Sequence, residues 1–342
     1  MIMHKTTQVL LRNRAAFARR TILVLGLADA DSLAAWAADS EVTLWCSSFA
    51  DYQRLQRSGL AVQFGHAVPA VQGVDAIVLV LPKSRQLLAC WLAQLDARYA
   101  AATPVYLVGE KSAGIQGASK QLGEYCTGLS KLDAARHCQL WRGELRGGGE
   151  FELSAWQRQF TVTVESTALE LVSIPGVFKH GGLDEGSALL LHNLAERAPQ
   201  RVLDFGCGAG VLGLHLKARW PDAEVEMLDV SAEAVYAAQQ SAQLNQLAVK
   251  VYPSDGLSEV QGLFDAVYSN PPFHTGVKTD YSITEALIRQ VAAHLTPGGE
   301  LRMVANAFLP YPRLIEQYIG PCRVVARTKS FNVYAANKQV KS

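Results

Sequence analysis

The sequence lacks a long apolar run, a C-x-x-C cysteine pair and any sizeable net charge. Its longest apolar stretches, such as Ala76–Leu81, fall far short of the roughly 20 residues needed to cross a bilayer. The 32 basic and 31 acidic residues leave a net charge of +1. This balance excludes binding of a polyanion by bulk charge alone, although it permits a local basic patch.

The six cysteines are scattered along the chain, which argues against a metal cluster or a disulfide framework. Their use fits a reducing compartment, and we therefore expect a cytoplasmic protein. The start of the chain is basic, with no acidic residue before Asp29. A transit peptide is one interpretation of this start. Its apolar positions, Val9, Leu10, Leu11 and Phe17, favour a packed entry helix or strand instead.

The chain is long enough for two domains, and its two halves show the same order of signals. Thr21–Leu25 and Arg201–Phe205 are apolar runs that each end at a glycine, as buried strands do. Asp75–Ser84 lines up with Asp265–Phe273, since both are predicted strands that lead into a loop with proline. Similarity at so long an offset indicates duplicated domains rather than a short-repeat solenoid.

Strands that alternate with amphipathic helices predict an α/β fold with two tandem, doubly wound Rossmann-like domains. We expect the first domain at residues 1–160 and the second at 161–342. The glycines at 147–149 form a breaker cluster, and Phe160–Val164 alternates like one strand of a linking hairpin. One large domain with a long insertion is the alternative.

A glycine-rich loop follows the strand of the second half. It contains Gly206, Gly208 and Gly210, with Asp204 two residues before the first glycine. We expect all four to bind a cofactor, because glycine allows positive φ and a close approach of backbone to ligand. A dinucleotide pattern also matches from Gly208, so the glycine spacing alone does not identify the ligand. The chain has no G-K-S/T segment here, which disfavours a nucleoside triphosphate.

Two further acids follow the next two predicted strands. Asp229 ends the second strand, where a carboxylate can accept hydrogen bonds from both hydroxyls of a ribose. Asp255 ends the third strand, where its side chain can accept from an adenine amine. The alternative is an ordinary loop acid at either position.

The most specific signal is Asn270-Pro271-Pro272-Phe273, at the end of a predicted strand. Consecutive prolines hold a loop rigid. The side-chain oxygen of Asn270 and the backbone carbonyl of Pro271 can accept from an amine, and Phe273 offers a face for a flat ring. These three residues are the predicted catalytic set. His274 follows, and we favour a loop or substrate contact for it over proton transfer.

These motifs together resemble those of class I S-adenosylmethionine-dependent methyltransferases that act on exocyclic amines. Flanking segments are similar to the ribosomal RNA guanine 2-amino methyltransferases, above all the small-subunit (16S) enzymes of the guanine 1207 type. The segments are Pro175–Phe178, Gly182–Asp184, Gly298–Leu301 and Val304–Pro312. The resemblance implies S-adenosylmethionine as methyl donor, no metal, and 16S rRNA or the small ribosomal subunit as partner. We expect a monomer that does not bind membranes.

The first half lacks the site of the second. Leu27 follows Gly26 without a glycine triplet, and Leu81-Pro82-Lys83 stands where N-P-P is expected. The resemblance thus implies a degenerate methyltransferase domain kept for RNA recognition or for support of the catalytic half. Candidate RNA contacts are the basic start, Lys83, Arg85, Lys111 and Lys120.

Four other functions stay open on the sequence alone. The acceptor could be a guanine of the large subunit or a glutamine amide in a protein. The protein could also be a non-catalytic RNA-binding assembly factor, but both halves would then be degenerate. The intact Gly206 and Asn270 argue against this function. A nicotinamide oxidoreductase fits the glycines but leaves Asn270–Phe273 without a role.

Overall fold

The tertiary contacts of the chain divide it into two units. The computed structural model describes residues 4–27, 29, 38–177, 182–271 and 281–339. The units are Met1–Trp156 and Gln157–Ser342. The structural division thus lies at 156/157, and the expected functional boundary at 160/161 stays a proposal.

In the first unit the strands are β1 (Thr21–Leu25), β2 (Glu41–Cys46), β3 (Ala61–Phe64), β4 (Ala76–Val80), β5 (Pro104–Glu110), β6 (Cys126–Ala135) and β7 (Cys138–Leu145). The helices are α1 (Lys5–Arg12), α2 (Phe49–Gln56), α3 (Arg85–Arg98), α4 (Ile115–Tyr125) and α5 (Leu153–Trp156), with a 3-10 turn at Arg14–Ala16.

In the second unit the strands are β8 (Arg158–Val164), β9 (Thr167–Ser173), β10 (Arg201–Phe205), β11 (Glu224–Asp229), β12 (Lys250–Pro253), β13 (Phe264–Ser269), β14 (Leu295–Asn306), β15 (Arg323–Arg327) and β16 (Phe331–Asn337). The helices are α6 (Glu185–Leu191), α7 (Val211–Arg219), α8 (Ala232–Leu244), α9 (Ser282–Val291) and α10 (Tyr311–Tyr318), with a 3-10 turn at Ala292–His294.

Both units contain a seven-stranded sheet with the same topology. The strand orders are β3-β2-β1-β4-β5-β7-β6 and β12-β11-β10-β13-β14-β16-β15. The first five strands of each order are parallel, and the last two are antiparallel to their neighbours. The duplicated, doubly wound fold is therefore confirmed. The antiparallel pairing of the last two strands was not predicted. Strand β15 alternates exposed and partly buried residues, as any half-buried strand does, and this pattern does not indicate the direction of the strand.

Each sheet is covered by apolar side chains on both faces, which explains the continuous apolar runs of its central strands. In β10, Val202 packs on one face and Leu203 on the other, and both are fully buried. The same alternation separates Ile22 from Leu23 in β1. Burial of a Leu, Ile or Val side chain stabilises a fold by about 1.5–3 kcal/mol.

The basic start of the chain is a packed helix, as its apolar positions predict. Val9, Leu10 and Phe17 are each 1% exposed within the core of the first unit. On the outer side, Lys5 pairs with Glu110 and Arg12 with Asp133, each at 3.3 Å. Part of the basic charge near the start is thus neutralised locally.

The segment after the glycine cluster is a hairpin, and it belongs to the second unit. Strands β8 and β9 pair with each other as a separate two-stranded sheet. The hairpin is anchored on α8, because the Val172 amide donates to Ser241 Oγ at 2.9 Å. Within the described ranges, no helix has both the length and the apolar content to cross a membrane.

Candidate active site

The predicted site residues of the second unit lie along one edge of its sheet. Strands β12, β11, β10 and β13 are neighbours in that order, and their carboxyl ends lead to Asp255, Asp229, the loop 206–210 and Asn270. Three strand spacings of about 4.8 Å give roughly 14 Å from β12 to β13. An elongated ligand can therefore lie across the strand ends with its two ends at Asp255 and Asn270.

The glycines of the loop serve two different purposes. Gly206 and Gly208 have φ of +76° and +54°, and a Cβ on either would meet no atom within 4 Å. Gly210 has φ of +92°, and its Cβ would lie 2.8 Å from Met227 Cε. The first two glycines thus leave an open cradle for a ligand, whereas the third lets α7 pack closely against β11.

Asp204 lies beneath this loop. Its side chain is 1% exposed, and its Oδ2 accepts a hydrogen bond at 2.8 Å from the Gly213 amide in the first turn of α7. Burial raises the pKa of Asp204 to about 7, against the opposing effect of that hydrogen bond, and the charge of Asp229 raises the pKa further. The contact that the structure gives Asp204 is with the helix start, so its predicted contact with a cofactor stays a proposal.

Asp229 joins the end of β11 to the loop. Its Oδ2 accepts from the Gly208 amide and its Oδ1 from the Ser231 amide, both at 3.0 Å. Burial raises the pKa of Asp229, and hydrogen bonds from backbone amides oppose this shift. Each carboxylate oxygen has a second lone pair, so the group can still accept from the hydroxyls of a ribose.

Asp255 is exposed in the loop after β12. The preceding Ser254 is 1% exposed and anchors this loop. The Ser254 amide donates to the Asp229 carbonyl at 3.0 Å, and its hydroxyl donates to the Gly256 carbonyl at 2.9 Å. The Asp255 carboxylate is thereby left exposed at the end of β12, two strands from the glycine cradle, where the adenine contact was expected.

The side chain of Asn270 is held by two residues at the start of α6. Its Nδ2 donates to Asp184 Oδ1 at 3.0 Å and to Ser187 Oγ at 2.9 Å. An ionised carboxylate only accepts hydrogen bonds, so the Asn270 amide must turn its nitrogen toward Asp184. Its carbonyl oxygen is then left to accept from a further donor.

Asp184 also caps α6, because its Oδ1 accepts from the Gly186 and Ser187 amides at 3.0 and 3.1 Å. A Cβ on Gly186 would lie 3.1 Å from Asp184 Oδ1 and 3.4 Å from Asn270 Oδ1, so glycine leaves room for this arrangement. Sequence reasoning did not assign a role to Asp184, Gly186 or Ser187. The aspartate before an apolar run signals a helix start, but not a partner 86 residues away.

Of the predicted catalytic set, the structure describes two members. Asn270 is half-buried and Pro271 is buried at the end of β13. Phe273 lies outside the described residues, as do Pro272 and His274. The stacking face predicted for Phe273 therefore stays a proposal.

Cys207 lies within the loop and is buried. Burial raises the pKa of its thiol well above the ordinary value, and the nearby carboxylates of Asp229 and Asp204 raise the pKa further. The thiol therefore stays protonated at neutral pH and is a poor nucleophile. Among the described residues, no group of three or more His, Cys, Asp or Glu could hold a metal ion.

The corresponding edge of the first unit has lost these groups. Because Leu25 pairs with Trp45 as Phe205 pairs with Leu228, Cys46 holds the position of Asp229. At the next strand, Val80 holds the position of Asn270.

The predicted replacement Leu81-Pro82-Lys83 is therefore out of register by one residue, and Val80-Leu81-Pro82 is the structural equivalent of N-P-P. The space beside Gly26, the equivalent of Gly206, is also occupied. A Cβ on Gly26 would lie 3.4 Å from the ring of Trp91, which packs edge-on against Trp45.

The strand order, the open glycine cradle and the acid at the next strand end define a class I methyltransferase. The family described as methyltransferase small domain matches residues 168–335, and the N-terminal domain of the same description matches residues 7–160. The ribosomal RNA small subunit methyltransferase C of Stutzerimonas stutzeri (strain A1501) is 45% identical over 98% of this chain and 99% of its own. The chain belongs to the ribosomal RNA small subunit methyltransferase C family.

Other relatives agree with this assignment. The protein of the same description from Pseudomonas aeruginosa (strain LESB58) is 43% identical over 98% of this chain and 100% of its own. A solved structure of the T. thermophilus 16S rRNA N2 G1207 methyltransferase in complex with AdoMet and guanosine has a TM-score of 0.86. It covers 98% of this chain and 92% of its own at 24% identity, so the fold is shared.

We expect replacement of Asp204 by Asn to flatten the pH dependence of stability. The raised pKa of about 7 means that the folded state holds the Asp204 proton more tightly than the unfolded state. The resulting stabilisation is complete below about pH 4 and is lost as pH rises to about 7. Wild type should therefore lose about 2–3 kcal/mol more than Asp204→Asn between pH 5 and pH 8. Urea unfolding at both pH values measures this difference, and the exposed Asp222→Asn is the control. Equal losses in wild type and Asp204→Asn would contradict the buried, protonated carboxyl.

We expect Asp229→Ala to weaken binding of S-adenosylmethionine. A lost charge-assisted hydrogen bond costs roughly 1.5–3 kcal/mol, or about 10- to 150-fold in the dissociation constant. The substitution also frees the Gly208 amide, which acts in the same direction. Calorimetry measures the constant, with Asp222→Ala as the control. An unchanged dissociation constant for Asp229→Ala would contradict the contact between Asp229 and the ribose.

Proposed function

We propose that this protein transfers a methyl group from S-adenosylmethionine to the exocyclic 2-amino group of a guanine of the 1207 type in 16S rRNA, within the small ribosomal subunit. Asn270, Pro271 and Phe273 are the proposed catalytic residues. The proposed cofactor contacts are Asp204, Gly206, Gly208, Gly210, Asp229 and Asp255. The proposal also includes a cytoplasmic, monomeric enzyme that uses no metal.

The observation that carries this proposal is the orientation of the Asn270 amide. Its nitrogen is occupied by Asp184 and Ser187, which leaves its carbonyl oxygen as an acceptor at the end of β13, the neighbour of the strand that leads into the glycine cradle. An acceptor at this place fits a substrate that donates, and an exocyclic amine donates. A substrate group that presents only acceptors, such as a carboxylate, cannot pair with this oxygen.

The residues at the strand ends fit the cofactor. The open cradle at Gly206 and Gly208 has room for the part of S-adenosylmethionine that lies against the protein backbone. Asp229 can accept hydrogen bonds from the ribose of the cofactor. When bound, S-adenosylmethionine supplies an electrophilic methyl group on a sulfonium, which makes a metal or a covalent nucleophile unnecessary. The protonated thiol of Cys207 agrees with a direct transfer.

The chain's own contribution is to prepare the guanine amine. The amine nitrogen delocalises its lone pair into the ring and is a weak nucleophile. Hydrogen bonds from the amine to Asn270 Oδ1 and to the Pro271 carbonyl favour a pyramidal nitrogen with its lone pair directed away from the ring. They also stabilise the positive charge that develops on the nitrogen. Because Asp184 and Ser187 hold the amide beforehand, no reorganisation is needed during the reaction.

A guanine within folded RNA must unstack from its neighbouring bases to reach the carboxyl ends of the strands of the second unit. The proposal assigns residues 1–160 to RNA recognition or support and residues 161–342 to catalysis. The absence of these acceptors at Cys46 and Val80 supports this division, because the first unit keeps the fold without the groups proposed to bind donor and amine. Four basic side chains of the first unit are exposed and remain candidate RNA contacts: Lys83, Arg85, Lys111 and Lys120.

The direct test is transfer of a labelled methyl group to ribosomal particles from a strain that lacks this protein. Assembled small subunits, large subunits and purified 16S rRNA are supplied in separate reactions, and the labelled nucleoside is identified. We expect 2-methylguanosine in the small-subunit RNA. Label in large-subunit RNA or in a protein glutamine would replace this substrate by another, and absence of any transfer would refute the proposal.

Substitution of Asn270 tests the mechanism. Asn270→Ala should leave the affinity for S-adenosylmethionine intact but lower the rate of methyl transfer about 100- to 1000-fold, because one preorganised acceptor is lost. Asn270→Asp keeps an acceptor oxygen and should retain more rate than Asn270→Ala, although it places a second carboxylate oxygen beside Asp184 in place of the donating nitrogen. Single-turnover transfer at saturating RNA measures the rate. A near wild-type rate for Asn270→Ala would reduce the N-P-P-F segment to a rigid turn.

Asp184→Ala tests whether the amide orientation matters. The substitution keeps Asn270 but removes the Asp184 carboxylate that binds its side-chain nitrogen, so the amide is no longer held in one orientation. A misplaced catalytic group costs about 100-fold in rate. It also removes a helix cap, worth about 0.5–2 kcal/mol of stability. Ser48→Ala is the matched control, because Ser48 caps α2 in the first unit. If both variants lost equal stability and both kept full turnover, Asp184 would be a cap alone.

A further inference from the structure

Phe308 is an unusually exposed aromatic residue. It is 75% exposed, and no other Phe, Tyr or Trp that the structure describes is more than partly exposed. Its near neighbours Leu309 and Tyr311 are only 6% and 2% exposed. Single exposed apolar residues are common on proteins, so the position of Phe308 must decide whether this exposure has a purpose.

The exposure does not come from a loosely held loop. The Leu309 amide donates to the Asn306 carbonyl at 3.1 Å, which closes a tight turn with Phe308 inside it. The Ala307 amide donates to the Ser330 carbonyl at 2.9 Å, which ties this turn to the one between β15 and β16. The backbone is thus held on both sides while the ring points into solvent.

The turn lies at the same sheet edge as the candidate active site. Strand β14 is the neighbour of β13, with Ser269 opposite Met303, so Val304 lies beside Asn270 and β14 runs two residues further, to Asn306. One strand spacing of about 4.8 Å separates the two strands. Phe308 lies beyond β13 on the side away from the glycine cradle, since the order is β10-β13-β14.

Three exposed cations accompany the ring. Lys329 lies in the turn that binds Ala307, Arg327 ends β15, and Arg313 is in the first turn of α10. An aromatic face beside basic side chains is the combination with which proteins hold single-stranded nucleic acid, because every base can stack and every phosphate is anionic.

We propose that Phe308 stacks on the nucleotide base next to the target guanine, while Lys329 and Arg327 contact the phosphate of that nucleotide. This inference rests on the proposed function. Extraction of the guanine breaks the stack on its neighbour. A ring one strand further from the cradle than Asn270 replaces that lost stacking, and thereby holds the RNA open while the amine is at Asn270.

The test measures binding of a 16S rRNA fragment that contains the target guanine, with 2-aminopurine in place of the adjacent base. Loss of an aromatic stacking partner costs about 5- to 150-fold in affinity, so Phe308→Ala should raise the RNA dissociation constant by that factor. Its dissociation constant for S-adenosylmethionine should not change. The 2-aminopurine should be quenched on binding to wild type and should become bright on binding to Phe308→Ala.

Two further variants separate stacking from general surface effects. Phe308→Trp should restore affinity and quenching, whereas Phe308→Leu keeps apolar area without an aromatic face and should not. Leu263→Ala is the control, because Leu263 is 44% exposed immediately before β13, at the opposite edge of the sheet. It should bind RNA like wild type.

The outcomes distinguish this inference from the proposed function. Equal RNA affinity for wild type and Phe308→Ala, in a wild type that methylates 16S rRNA, would overturn the stacking and leave the function standing. Weaker binding of Phe308→Ala to assembled subunits but not to the RNA fragment would assign the ring to a ribosomal protein and likewise overturn it. A wild type that transfers no methyl group would refute the proposed function, while the binding and fluorescence measurements would still decide the stacking.

Discussion

The chemistry available at the sheet edge depends on how one side-chain amide is turned. An asparagine presents a donor on one side and an acceptor on the other, and the two are similar in shape. Asp184 resolves this choice, because its carboxylate can only accept and so binds the Asn270 nitrogen. Asp184 is itself fixed by the amides of the helix that it caps. The direction of the Asn270 oxygen thus follows from the start of α6, a segment remote in the sequence.

The loop that forms the glycine cradle is also held by hydrogen bonds to its backbone amides. Asp229 accepts from the Gly208 amide, and the Gly206 and Cys207 amides both donate to the Leu228 carbonyl at 2.9 Å. The loop is therefore held by the neighbouring strand without side chains that would fill its open face. Gly210 then allows the close approach of α7 to Met227, so that one short segment provides both space and packing.

The first unit shows that the fold does not require the polar groups of the candidate active site. It repeats the strand order of the second, yet Cys46 and Val80 stand at the positions of the acid and the asparagine. The ring of Trp91 occupies space beside Gly26 that is open beside Gly206. Apolar residues at these places remove the polar acceptors. A shared fold thus carries a site in one unit and packed side chains in the other.

Several elements could be predicted from the sequence alone, because they rest on local patterns. The apolar runs Thr21–Leu25 and Arg201–Phe205 are strands with those bounds, and the duplication and the doubly wound order of the two sheets follow from repeated strand and helix signals. Parallel strands bring their carboxyl ends to one edge, so the glycine loop, Asp229 and Asn270 could be placed together from the pattern of strands and loops.

Tertiary structure decided the rest, because the deciding contacts join residues far apart in the chain. The partners of Asn270 lie on another element, and the packing of Trp91 on Gly26 joins a helix to a strand end. The register that gives Val80 the position equivalent to Asn270 is a property of each sheet. The exposure of Phe308 likewise depends on a turn tied to the Ser330 carbonyl. The sequence alone determined which residue types stand at the strand ends. Only the folded chain decided which way their hydrogen-bonding groups point, since orientation depends on neighbours that sequence spacing does not identify.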